Sequence, residues 1–269
     1  MLPDSFRTIT DFVRARSGIV LDESKAYMLE TRLQPILRRE GLPSLDGLAS
    51  RLRQARQEEL GCAVVEALTT NESLFFRDGH PFEHLAKIFP RLTAERPPGQ
   101  PIRIWSAAAS SGQEAYSIAM LAAENAAALK GRVTRIIGTD LSREMVERAR
   151  LGSFTRFEVQ RGLTVHRLVK FFRQEGERFV VKDELRAVAQ FRHENLLALP
   201  PAAESFDAIF CRNVLIYFDP PTKQRVLDSI AMRLARDGVL YLGAAETVLG
   251  LSTRFAPIPG ERGAYALTR

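Results

Sequence analysis

The segment RIWSAAASSGQEAYSIA (103–119) constrains the fold more tightly than any other part of the chain. Residues 103–105 read as the end of a buried strand and 113–119 as the start of a helix. Three alanines, three serines and one glycine lie between them. A strand, a tight loop of small residues and a helix form the repeating unit of a parallel sheet. The loop is where such sheets hold nucleotide-like ligands. The alternation continues downstream. Strand candidates are 102–105, 133–139, 206–211 and 238–242, and helix candidates are 113–129, 142–151 and 221–234. Residues 253–256 and 263–267 suit an antiparallel edge. The expectation is an α/β domain with a mostly parallel sheet and helices on both faces. Residues 169–193 break the pattern with short strand-like pieces and turns, and read as a small antiparallel β insertion.

The front of the chain differs. Residues 1–68 read as all helix, with Phe6, Ile9, Phe12 and Val13 on one side of the first segment. Asp22 is placed to cap a second helix running to Glu40, with Leu29, Leu33, Ile36 and Leu37 on its apolar face and Pro35 interrupting it. Lys25, Arg32 and Arg39 recur every seven residues on another face, with Arg38 beside them. The organisation expected is a helical domain over 1–68, a linker with a ligand-contacting segment over 69–101, and the sheet domain over 102–269. At 45% hydrophobic residues the chain can bury an ordinary core. Its start lacks the basic and apolar regions of a signal peptide, and no apolar run approaches the ~18 residues of a membrane span. Cys62 and Cys211 have no C-x-x-C partners and read as buried thiols, which fits a cytoplasmic protein. The net charge of +6 admits nucleic acid, an anionic surface or an acidic protein as partner, without choosing.

Three strand ends carry chemistry. The loop after the first strand brings backbone close to a ligand, but it lacks the glycines of G-x-G-x-x-G. Glu114, in the first helical turn, would repel a pyrophosphate and welcome an ammonium group. Asp140 ends the second strand, where an acid commonly holds ribose hydroxyls. Arg212, Asn213 and Tyr217 follow the strand at 206–211. A ribose-binding acid, a close-approach loop and an ammonium-compatible carboxylate fit S-adenosylmethionine better than a nicotinamide dinucleotide.

Four segments carry a family resemblance: TTNESLFFRDGHPF (69–82), RIWSAAASSGQEAYSIA (103–119), GTDLSREMVERARLGSF (138–154) and FDAIFCRNVLIYF (206–218). In this order the chain resembles the chemotaxis receptor methyltransferases, the CheR-type protein-glutamate O-methyltransferases. The resemblance runs over nearly the whole chain. It implies a Rossmann-like S-adenosylmethionine-dependent methyltransferase domain with a small β insertion behind a small all-α domain. The implied activity is methyl transfer to receptor glutamates, with S-adenosylhomocysteine as product and no metal. It implies cofactor contacts at Asn71, Ser73, Arg77, Glu114, Asp140, Asn195, Leu196, Arg212 and Asn213. Ser73 stands where threonine is frequent, Gln113 replaces a frequent glutamate and Ala115 a frequent proline.

Arg212 is the candidate to orient the substrate carboxylate, because guanidinium offers paired donors, and Tyr217 the candidate for a further hydrogen bond. Lys25, Arg32, Arg38 and Arg39 are expected to dock the acidic methylation region of a transmembrane chemoreceptor; a solvated helix face is the alternative. Family members that bind a receptor-tail pentapeptide look longer in the insertion's first turn. Here that turn spans only 173–178, so independence from the pentapeptide is expected. A monomer without nucleic-acid partner or membrane insertion completes the expectation. A nucleic-acid methyltransferase is the rival, but the fourth strand leads into RNVLIY, which lacks the prolines and spacing of N-P-P-Y. A non-catalytic docking module is a third reading. His80 and His84, four residues apart, read as a surface helix face, Trp105 as core, and Met28, Met120, Met145 and Met232 as helical core positions.

Overall fold

A computed structural model describes residues 2–54, 57–201 and 204–268. The chain forms two compact units. One runs through Thr70 and takes in Tyr217–Thr222; the other comprises Asn71–Ile216 and Lys223–Arg269.

In the first unit, α1 (Pro3–Ser17) begins on a proline, which has no N–H to leave unpaired, and ends at Gly18, whose left-handed φ of 78° lets its N–H reach the Arg14 carbonyl. Asp22 caps only the 3₁₀ turn Glu23–Lys25, accepting from the Ser24 N–H. α2 (Ala26–Arg39) starts after that turn and continues through Pro35, burying Leu29, Leu33, Ile36 and Leu37 as their 3–4 spacing requires. Pro35 is exposed. α3 (Leu45–Leu52) is capped by Ser44, and α4 (Glu58–Leu68) closes the bundle. Cys62, on α4, is half-buried rather than core.

The second unit is the α/β domain. α5 (His80–Glu95) leads into β1 (Ile102–Ala107), α6 (Gln113–Glu124), α7 (Ala126–Leu129), β2 (Thr134–Asp140) and α8 (Arg143–Leu151). Then come β3 (Ser153–Thr155), α9 (Arg156–Gln160), α10 (Val165–Phe171), β4 (Phe172–Glu175), β5 (Arg178–Val181), α11 (Asp183–Arg186) and β6 (Ala189–His193). β7 (Phe206–Cys211), α12 (Pro220–Ala231), β8 (Leu234–Leu242), β9 (Phe255–Pro257) and β10 (Ala264–Leu267) finish the chain. The main sheet has the order β6-β2-β1-β7-β8-β10-β9. β6, β2, β1, β7 and β8 are parallel, and β10 and β9 add antiparallel to one edge. Ile102, Ile104, Ile136, Phe210 and Tyr241 of the sheet pack with Phe82, Leu85 and Phe89 of α5 and Ile118 of α6 in the main core.

Two elements depart from the sequence reading. The stretch 169–193 is not one antiparallel insertion. β4 and β5 pair with β3 in a three-stranded antiparallel sheet, whereas β6 joins the main sheet in parallel beside β2. Buried Ala189 and Phe191 alternate with exposed Gln190 and Arg192, so β6 reads like a hairpin strand although it is an edge strand of the main sheet. The helix expected over 113–129 breaks at Asn125, whose side chain bonds back to the Leu121 carbonyl at 2.8 Å. Met232 follows the last residue of α12 and is 61% exposed, not core.

Gly162 holds the stretch before α10 against the segment that follows residue 70. Its φ is +103°, and a Cβ there would sit 1.9 Å from the Phe75 carbonyl oxygen. Gly176, in the β4–β5 turn, has φ +60° with open space around it. Gly162→Ala is expected to cost more than about 3 kcal/mol and Gly176→Ala about 1 kcal/mol. Urea unfolding of both variants checks this; equal losses would contradict the close approach at Phe75.

Candidate functional site

In a parallel sheet the strand ends converge, and here the carboxyl ends of β1, β2, β6 and β7 carry the polar residues picked out above. The loop after β1 turns on three left-handed residues, Ala108 (φ 57°), Ser110 (51°) and Gly112 (95°). Two are not glycine, so the surroundings must hold them. The Ala109 N–H donates to the Thr139 carbonyl at 2.9 Å, and the Ser110 N–H to Asp140 Oδ2 at 2.7 Å. Ser110 Oγ donates to the Asn71 carbonyl at 2.7 Å, tying the segment 71–79 to this loop.

Asp140 is buried, and its other oxygen accepts from the Ser142 N–H at 2.8 Å, at the N-terminus of α8. Burial pushes its carboxyl up from the ordinary range, and the two backbone N–H donors only partly offset this. Its carbonyl accepts from the Glu194 N–H at 3.0 Å, which holds the exit of β6. Beyond lie Asn195, whose Oδ1 accepts from the Leu197 N–H, and buried Leu196.

Arg212 follows β7, and its side chain is only 2% exposed. Nη1 donates to Glu114 Oε2 at 3.0 Å; Nη2 donates to Asp78 Oδ2 at 2.6 Å and to the Arg77 carbonyl at 2.8 Å. Both hydrogens of Nη2 are therefore used. A guanidinium grips a carboxylate through Nη1/Nη2 or Nε/Nη2, so no paired fork remains for a substrate. For the substrate-orienting role expected of Arg212, only single donors remain, at Nε and at the second hydrogen of Nη1. Its Nε is buried with no hydrogen-bond partner among the described residues. Glu114 also accepts from Ser106 Oγ at 2.8 Å, so its carboxylate is fixed from both sides. Asn213 comes next, with a left-handed φ of 59°.

The segment 71–79 is itself strained and anchored. Phe76 (φ 48°), Asp78 (66°) and Gly79 (59°) are all left-handed. Phe75 is fully buried edge-on to Phe154 and Phe172. The Phe76 N–H donates to Ser117 Oγ, and its ring lies 3.7 Å from the Arg167 guanidinium, which pairs with Glu124. Asn71, Ser73 and Arg77 are half-buried. The Arg77 guanidinium makes no hydrogen bond among the described residues.

The first unit's candidates fare unevenly. Lys25 and Arg38 are exposed, and Arg39 pairs with its neighbour Glu40 at 3.0 Å. Arg32 donates to the Thr69 carbonyl at 2.6 Å, past the end of α4. Along the seven-residue row, Lys25 and Arg39 are thus exposed, while Arg32 is half-buried with one donor used at Thr69. Tyr217 ends the 3₁₀ turn Leu215–Tyr217; its carbonyl accepts from the Val20 N–H at 2.9 Å. It is half-buried.

His84 is not on a surface. It is 7% exposed, and Nδ1 lies 2.8 Å from the hydroxyl of buried Tyr241. Burial pushes its pKa down. No group of three or more His, Cys, Asp and Glu residues suited to a metal occurs among the described residues. No described helix is long and apolar enough to cross a membrane. Sequence reasoning missed two residues of this end of the sheet. Asp78 stands beside Arg77 in the quoted RDGH. Glu246 closes the GAAE turn after β8, where a lone acid among small residues was the available signal.

Residues 71–264 match the family described as CheR methyltransferase, SAM binding domain, and residues 4–69 match CheR methyltransferase, all-alpha domain. The chain belongs to the CheR methyltransferase family. A chemotaxis protein methyltransferase of Vibrio parahaemolyticus is 42% identical over 254 residues, covering 93% of this chain and 91% of that protein. The Escherichia coli chemotaxis protein methyltransferase is 38% identical over 269 residues, covering 98% and 91%. Among solved structures, a TehB-like SAM-dependent methyltransferase from Corynebacterium glutamicum aligns at 14% identity and a TM-score of 0.38, covering 71% of this chain and 96% of that one. The architecture of a CheR chain is thus an all-α domain followed by a Rossmann-like methyltransferase domain with a small antiparallel sheet.

The raised pKa of Asp140 has a consequence for stability. Between its unfolded value, about 3.9, and its higher folded value, the folded chain binds the extra proton. The contribution of this group therefore grows as pH falls from neutrality towards about 4 and is lost as pH rises through the folded pKa. Asp140→Asn removes the titration. The unfolding free energy of the wild type relative to that variant is expected to rise as pH is lowered from 7 towards about 4, read by urea denaturation of ligand-free protein. A difference that is flat with pH would contradict the burial of an ionised carboxylate.

Proposed function

We propose that this chain transfers a methyl group from S-adenosylmethionine to glutamate side chains in the cytoplasmic methylation region of transmembrane chemoreceptors. The products are glutamate methyl esters and S-adenosylhomocysteine, made for sensory adaptation. The observation that carries the reading is the donor set at the strand ends. Two fixed carboxylates, Asp140 and Glu114, accompany an unspent guanidinium at Arg77, and the loop has no glycine-rich pyrophosphate cradle. Chemotaxis methyltransferases as relatives support the choice of substrate.

These residues fit the cofactor. Each Asp140 oxygen accepts one backbone N–H and keeps a lone pair for a ribose hydroxyl. Glu114, held by Ser106 and Arg212, offers a carboxylate to an ammonium group, and Arg77 a guanidinium to a carboxylate. The partnerless Arg212 Nε is a buried donor that a ligand acceptor would satisfy. Asn71, Ser73, Asn195, Leu196 and Asn213 complete the proposed contacts. When bound, S-adenosylmethionine supplies a methyl group on a sulfonium for in-line displacement. A substrate glutamate, with a reference pKa of about 4.3, is already ionised at neutral pH, so the protein needs no strong base. Its task is to hold the carboxylate and exclude water. Arg212 serves this indirectly, by fixing Glu114, and the Tyr217 hydroxyl is the proposed hydrogen-bond donor towards the reacting carboxylate.

Lys25, Arg32, Arg38 and Arg39 are the proposed docking residues, Arg32 with one of its donors used at Thr69. The β4–β5 connection is the two-residue turn Gly176-Glu177 between the paired Glu175 and Arg178. On that short turn we base independence from a receptor-tail pentapeptide. The enzyme is proposed to act as a cytoplasmic monomer, without a metal, nucleic acid or insertion into the membrane.

Incubation with methyl-labelled cofactor and receptor-rich membranes tests the reading. Base-labile label on membrane protein is expected. Label on added RNA, or none, would contradict it. In the same assay, Lys25→Glu with Arg38→Glu should slow receptor methylation about tenfold at low salt with cofactor affinity unchanged. Asp140→Ala should weaken cofactor binding about tenfold or more. A micromolar isotherm with a receptor pentapeptide would overturn the proposed independence.

A further inference from the structure

Glu246 sits in the turn after β8, and its side chain is buried. Oε2 accepts from the N–H groups of Asn213 and Gly243, both at 2.7 Å. Oε1 accepts from those of Val214 at 2.9 Å and Ile216 at 3.3 Å. The carboxylate thus collects backbone donors from two loops, one after β7 and one after β8. No ion pair with a cationic side chain is seen for it among the described residues. The Glu246 N–H closes its own turn on the Gly243 carbonyl at 2.9 Å. A Cβ at Gly243 would lie 2.7 Å from Glu246 Oε2, 2.8 Å from Asn213 Nδ2 and 2.9 Å from the Asn213 backbone nitrogen, so a larger residue there must displace this contact.

The stretch 213–216 needs such a holder. Asn213 is left-handed, and β7 ends at Cys211, so the ladder no longer supports this backbone. Arg212 is fixed by its own ion pairs with Glu114 and Asp78. The residues just after it are fixed by Glu246. The geometry points to Glu246 as a positioning residue for methyl transfer: it holds the backbone 213–216 in its catalytic shape, and of the proposed cofactor contacts only Asn213 lies in that stretch. The next residue along the chain is Tyr217, the proposed donor to the reacting carboxylate. This inference rests on the methyltransferase reading above.

Glu246→Gln is close to isosteric but replaces one acceptor oxygen with a donor. In either amide orientation, two backbone N–H groups then face an NH₂. Gly243→Ala disturbs the same contact from the other side, and exposed Ala245→Ser serves as control. Each full-length variant is assayed for receptor methylation, for S-adenosylhomocysteine binding by calorimetry, and for amide exchange over 213–216. For Glu246→Gln and Gly243→Ala, kcat is expected to fall at least about 30-fold. The Kd for S-adenosylhomocysteine should stay within about threefold. Exchange over 213–216 should quicken about tenfold or more, with the rest of the sheet unchanged. Wild-type protection of these amides in Glu246→Gln would overturn the inference. So would unchanged kcat, or a loss of cofactor affinity parallel to the loss of kcat. Wild-type protein that fails to methylate receptors would instead sink the function proposed above, and the exchange arm would still decide whether Glu246 holds this backbone.

Discussion

Arg212 carries a charge almost closed off from water, with 2% of its side chain exposed, so its neighbours must compensate it. They do so from two directions. Glu114 comes from the first turn of α6, and Asp78 with the Arg77 carbonyl from the segment before α5. One guanidinium therefore sets the distance between two pieces of chain remote in sequence. Loss of either carboxylate would leave a buried charge partly unpaired, an effect of about 3–5 kcal/mol when burial is complete and less at Asp78, which is half in solvent. The planar fork matters as much as the charge, because three acceptors lie around it at once.

The rest of the site follows from the need to hold strained backbone at the strand ends. Ala108, Ser110, Phe76, Asp78 and Asn213 all adopt left-handed conformations without being glycine. Each lies in or beside a stretch tied by a hydrogen bond from elsewhere: Asp140 to the Ser110 N–H, Ser117 to the Phe76 N–H, Arg212 to Asp78, Glu246 to the Asn213 N–H. Carboxylates do much of this work, since one anion accepts from several N–H groups. Asp140 shows what such use entails, because its burial raises its pKa while it fixes the loop.

Much of this was legible in the sequence, for identifiable reasons. β1, β2 and β7 are apolar runs with helices after them, and β8 is a further apolar run, so a mostly parallel sheet could be read, though not the strand order. Asp140 and Glu114 were legible because their positions, a strand end and a first helical turn, have chemical meaning without tertiary contacts. β6 was missed because its exposed Gln190, Arg192 and His193 imitate a hairpin, and pairing with β2 is decided over about fifty residues. Arg212 was found as a residue, but its partners were not. A guanidinium beside a strand end looks available until Asp78, more than a hundred residues earlier, is seen to occupy it. His84 was misplaced for a similar reason: nothing near it in sequence announces the Tyr241 hydroxyl. Glu246 had only its isolation among small residues to mark it.

We propose that Arg212 shapes the cofactor site from within, by holding Glu114, rather than clamping the substrate. Calorimetric titration of S-adenosylhomocysteine into Arg212→Lys tests it most directly. Lysine keeps the charge but cannot serve Glu114, Asp78 and the Arg77 carbonyl with the same geometry. The expected affinity is at least about tenfold weaker than that of the wild type. Unchanged affinity, with a raised KM for receptor alone, would contradict it.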